Sequence, residues 1–190
     1  MENILVLGSS LAKQVVQHND RNGRKIDNIL FKGKINLKSI ESTLRDKNKQ
    51  YKKVIYLSGN DLLPSKLHKV NNKTHVCLDK FDESKCSNIY SSLVEILSMY
   101  TKNIVFVEPP PRATSIIEYS ECLFYDKSTA NRFRKVINSL KSDINIGVFS
   151  NSTLLGFLSI EKSPLCSLDQ IHFSKQAIAV IQRQVIEQNR

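Results

Sequence analysis

The chain has 190 residues, 41% of them hydrophobic and 24% charged. That is enough for a real core in one domain spanning 1–190, too few for two independent ones, and unlike a disordered chain. No apolar run approaches the ~20 residues of a membrane helix, and the opening Met1-Glu-Asn-Ile-Leu-Val-Leu-Gly8 has an acid where a secretory signal has its basic region. An intracellular, cytoplasmic protein without a membrane span is therefore expected.

Along the chain, strand and helix signals alternate. Ile4–Leu7 is a short apolar run of the buried parallel-strand kind, ending in Gly8-Ser9-Ser10. A helix follows over about Leu11–His18, then turn residues from Asp20 to Arg24. Ile26–Phe31 reads as a second strand ending at Gly33. Asn36 is placed to cap a helix with Leu37, Ile40 and Leu44 at helical spacing. Val54–Leu57 is a third strand, running into Ser58-Gly-Asn-Asp61.

The polar stretch 62–80 has no clear period. A long helix is predicted over Asp82–Tyr100, a fourth strand over Ile104–Val107 stopped by Pro109-Pro-Pro111, and a helix over Ser128–Leu140. Ile144–Phe149 is the fifth strand. A loop holding Gly156 follows it, and a last helix runs from Ser174 to Glu187. Five strands alternating with helices predict an α/β fold. It is a flavodoxin-like parallel sheet of order 2-1-3-4-5 with helices on both faces and a ligand site at the carboxyl ends of the strands.

Those strand ends carry chemistry. Ser10 lies in a tight strand-to-helix turn, which exposes a hydroxyl and places its N–H at the positive end of a helix. Gly33 offers a bare backbone N–H, and Asn60 a neutral side-chain donor. Three donors aimed at one region are what an oxyanion hole requires. Near the C-terminus, Asp169-Gln-Ile-His172 sets a carboxylate three residues before an imidazole, so that Asp169 can hold the tautomer while His172 accepts a serine proton.

Taken in this order, the set resembles the SGNH/GDSL hydrolase superfamily. The four blocks read Leu7-Gly-Ser-Ser-Leu11, Phe31-Lys-Gly33, Leu57-Ser-Gly-Asn-Asp-Leu62 and Asp169-Gln-Ile-His-Phe173. The resemblance spans nearly the whole chain. It implies Ser10 as nucleophile, an oxyanion hole from Ser10 N–H, Gly33 N–H and Asn60, and His172 as base supported by Asp169. It also implies a small acyl-ester substrate and no metal or cofactor. Two blocks depart from the pattern: GDS becomes Gly8-Ser9-Ser10, which leaves open which serine attacks, and GxND becomes Ser58-Gly-Asn-Asp61.

Charge supplies an alternative. Of the net +10, residues 1–73 carry +9, and a basic half is a footprint for RNA, DNA or another polyanion. Lys32, Lys34 and Lys38 flank the second strand end, and Arg45, Lys47, Lys49, Lys52 and Lys53 form a second cluster. A looser likeness to SGNH-like domains of mobile-element proteins and to OSK domains, which bind RNA through basic surface without the catalytic set, points the same way. Few aromatics stand among these residues, so phosphate attraction is the expected mode. Cys77, Cys86, Cys122 and Cys166 show no zinc-ligand spacing and read as free thiols.

Overall fold

The computed structural model describes residues 3–32, 35–57, 65–70, 73–78, 82–110, 127–160, 165 and 172–187. In chain order the elements are β1 (Ile4–Gly8), α1 (Ser10–Arg21), β2 (Asp27–Leu30), α2 (Leu37–Lys47), β3 (Lys53–Leu57), β4 (Ser65–Val70) and β5 (Lys73–Leu78). They continue with α3 (Glu83–Ser98), β6 (Asn103–Val107), α4 (Lys127–Asn138), β7 (Asn145–Phe149), α5 (Asn151–Ile160) and α6 (Lys175–Ile181). The last helix runs on as a π-helical turn, Gln182–Ile186.

Five strands form one sheet in the order β2-β1-β3-β6-β7, all pairs parallel. Counting sheet strands alone, this is the predicted order 2-1-3-4-5. A parallel sheet must be covered on both faces, and the strands alternate accordingly. Leu5, Leu7, Val54, Tyr56, Ile104 and Phe106 face a core shared with α2, α3 and α4. Val6, Ile55, Leu57 and Val107 face the opposite core with α1, α5 and α6. Four aromatic rings lock the first core edge to face: Tyr56 on Tyr90 at 5.7 Å, Phe106 on both at 5.5 and 5.2 Å, and Tyr90 on Phe133 at 6.2 Å. Such pairs add to the apolar area they bury.

Two features differ from the sequence reading. The segment after β7 is not a loop around Gly156 but the helix α5. Its first turn is tied by Ser150, whose hydroxyl accepts from Thr153 N at 3.2 Å, and its Leu154 and Leu158 are buried. The polar stretch 62–80 contains an antiparallel hairpin, β4 with β5. Cys86 is buried in α3, and no cluster of metal-ligating side chains occurs among the described residues. No helix among them is long and apolar enough to cross a membrane.

At the amino edge of the sheet, Lys49 bonds Asp27 at 2.6 Å. That bond, with the further charge of Lys47, holds the Asp27 carboxyl below its ordinary 3.8 despite the opposing effect of burial. Burial, followed by the Asp27 charge, pushes the Tyr51 phenol up to about 12.

Two substitutions test this account. Phe106→Ala empties a fully buried ring site and is expected to cost about 3–5 kcal/mol in urea unfolding. Asp27→Asn is expected to lower stability near neutral pH. Because the folded carboxyl is depressed, its contribution is present above the unfolded value and lost as pH falls through the folded one. The gap from wild type therefore narrows below pH 3.8 and closes at lower pH, read from unfolding midpoints across a pH series.

Candidate active site

Gly8 ends β1 with φ +151°, a backbone that side chains rarely adopt. A Cβ there would stand 2.4 Å from the Leu57 carbonyl oxygen and 3.0 Å from the Ala12 Cβ. Only glycine lets the chain turn off β1 this close to the end of β3. The Gly8 carbonyl accepts from Phe31 N at 3.0 Å, which fastens the exit of β2 to the same turn.

The two serines that follow have different surroundings. Ser9 is buried, and its carbonyl accepts from Lys13 N at 3.0 Å. Ser10, the first residue of α1, is exposed. Its hydroxyl therefore stands at the carboxyl edge of the sheet, beside backbone N–H groups that carry the positive end of the helix dipole. The two serines that the sequence left as alternatives thus differ in exposure, Ser9 being buried and Ser10 exposed.

His172 is half-buried and directly precedes Phe173, which is packed in the α1 core. One turn after Ser10, the amide of Gln14 clamps this segment from both sides. Its Nε2 donates to the Phe173 carbonyl and its Oε1 accepts from Phe173 N, both at 3.3 Å. Residues i and i+4 share a helix face, so the face bearing Ser10 is the face that holds the backbone next to His172. The segment is anchored further by Ser174, whose N–H reaches the Leu165 carbonyl at 2.9 Å and whose hydroxyl caps α6 through Ala177 N at 3.0 Å. Asp169, Gly33 and Asn60 lie outside the described residues.

At the carboxyl end of β6 stands a residue that sequence reasoning passed over. Glu108 is 1% exposed, accepts from Asn151 N at 2.6 Å and pairs with Arg134 at 3.6 Å. A carboxylate suits the first turn of α5. The Asn151 amide in turn donates to the Pro109 carbonyl at 2.6 Å, so the ends of β6 and β7 are tied together. An acid between Val107 and Pro109, closing a buried strand, was the available signal.

The basic candidates do not form one surface. Lys32 and Lys38 are exposed at the site's end of the sheet, whereas Arg45, Lys47, Lys49 and Lys52 lie at the opposite end. Arg45 is engaged by Glu41 and Lys49 by Asp27. Lys53 has to be removed from the set. It is buried, and its ammonium donates to the Val185 carbonyl at 2.8 Å, where a cation suits a helix C-terminus. Lys34 is outside the described residues.

Neither the known protein families nor the curated proteins give a match to this sequence. Solved structures do. A GDSL-like lipase from Bacteroides thetaiotaomicron is similar with a TM-score of 0.51 at 11% identity, over 97% of this chain and 85% of that one. A structure from Bacteroides fragilis described as an acylhydrolase is similar with a TM-score of 0.52 at 14% identity, over 97% and 84%. The fold is that of the SGNH/GDSL hydrolases.

The Gln14 clamp yields a direct test. Gln14→Ala removes both bonds and is expected to cost about 1–2 kcal/mol. Amide exchange at Phe173 should accelerate by roughly tenfold or more, while amides in β3 keep their wild-type protection relative to global stability. Hydrogen exchange followed by NMR reads both.

Proposed function

We propose that the protein is a serine acyl hydrolase. The observation that carries this reading is the exposed position of Ser10 at the start of α1, on the helix face whose next turn clamps the backbone beside His172. Ser10 Oγ attacks the carbonyl carbon of a small acyl ester, and His172 takes the hydroxyl proton as general base. Asp169, three residues earlier, holds the imidazole tautomer. The oxyanion is received by Ser10 N–H at the start of α1, by Gly33 N–H and by the Asn60 side chain. When the tetrahedral intermediate collapses, His172 returns the proton to the leaving alkoxide and the acyl group stays on Ser10. Water then repeats the sequence, with His172 activating it, and releases the carboxylic acid. No cofactor enters the scheme.

The roles of Asp169, Gly33 and Asn60 rest on the order of the sequence blocks, and those of Ser10 and His172 on sequence and geometry together. The SGNH fold supports the reading, because its ligand site lies where the strand ends place Ser10. Short acyl esters of p-nitrophenol are the expected reporters. Hydrolysis should fall by about 10³-fold or more in Ser10→Ala and comparably in His172→Ala, with the circular dichroism spectrum unchanged. Turnover that survives in Ser10→Ala, or absence of turnover on every short acyl ester, would overturn the proposal.

A further inference from the structure

The amino edge of the sheet, at the other end of the strands from Ser10, holds a cavity of about 510 Å³, within the range of small-molecule sites. Its walls come from the starts of β1 and β2, the loop before β2, Lys49 and the π-helical turn. Ile4, Ile26 and Ile186 give it apolar lining. Charges surround them in pairs, with Arg24 on Glu187 and Lys49 on Asp27 at 2.6 Å. Lys25 also lines the cavity, is exposed, and has no acidic partner among the described residues. Lys47 adds positive charge from beside Asp27.

Behind this lining lies a buried polar chain. Asn19, 1% exposed, bonds the Gln182 side chain, 5% exposed, and the Gln182 amide donates to Glu187 at 3.2 Å. The Asn19 Oδ1 atom has no hydrogen-bond partner among the described residues. A buried amide pair with an acceptor to spare is costly to maintain. Here it abuts a π-helical turn, a widened geometry that is frequent at functional sites. Both cavity carboxylates are neutralised in place, so the charge left for a ligand is positive.

We propose that this cavity is a second binding site, for a small organic anion with an apolar body. The aliphatic part of the ligand packs on Ile4, Ile26 and Ile186. Its anionic head meets Lys25 at the rim, with Lys47 adding to the positive field. The apolar lining provides most of the contact area, and the Lys25 ammonium selects the sign of charge. The site is independent of the chemistry at Ser10, since it lies at the opposite edge of the sheet.

Octanoate is a suitable probe, titrated at millimolar concentration into the ¹⁵N-labelled full chain. Saturable shifts are expected at Arg24, Lys25, Ile26 and the amides from Gln182 to Glu187. Octylammonium at the same concentration should leave those amides unmoved. The exposed Lys25→Glu substitution should weaken octanoate by roughly fivefold to tenfold without altering the remaining spectrum. Any octanoate response at Ser10 or His172 should persist in Lys25→Glu, which separates occupancy of the two ends. Absence of shifts at the amino edge, an equal response to octylammonium, or affinity unchanged in Lys25→Glu would each overturn the proposal.

Discussion

The Leu57 carbonyl oxygen occupies the space where a Cβ of residue 8 would have to sit, 2.4 Å away. The end of the central strand pair is thus closed backbone to backbone, and the chain leaves β1 by a turn that glycine alone accommodates. That constraint puts Ser9 inward and Ser10 outward. It also directs α1 back across the face where Val15 and Val16 meet Val6 and Ile55 in the second core. The position of the serine hydroxyl is therefore a consequence of sheet packing, not of loop choice.

From that turn, the far end of the chain is brought in by α1 itself. Gln14 bonds both backbone groups of Phe173, across a separation of 159 residues. Phe173 is buried beside α1, and Ser174 starts α6 immediately after it. Helix α6 then packs on α1 and α5 and ends at the amino edge, where Lys53 receives it at the Val185 carbonyl. One helix thus connects the backbone beside His172 with the cavity at the opposite edge of the sheet.

Much of this was legible in the sequence because the governing interactions are local or periodic. Leu5-Val6-Leu7 and Val54-Ile55-Tyr56-Leu57 are apolar at every position because both sheet faces are covered. Asn36 caps α2 by accepting from Ser39 N three residues ahead, as its side chain allows. Helix α5 was not legible. Its start, Asn151-Ser-Thr153, and its internal Gly156 resemble a loop. What holds it helical is the distant carboxylate of Glu108 and the burial of Leu154 and Leu158. Gln14 was hidden for a similar reason, since its partners are backbone groups far along the chain. Lys53 was misjudged because charge alone does not show whether an ammonium meets water or a helix end.

The central claim is that the Ser10 hydroxyl is an activated nucleophile. A fluorophosphonate probe tests it most directly, because phosphonylation needs the nucleophile, the base and the oxyanion donors at once. Mass spectrometry of the digested adduct should place one phosphonyl group on the peptide containing Ser10, with labelling abolished in His172→Ala. An unlabelled folded protein, or an adduct on another residue, would contradict the account.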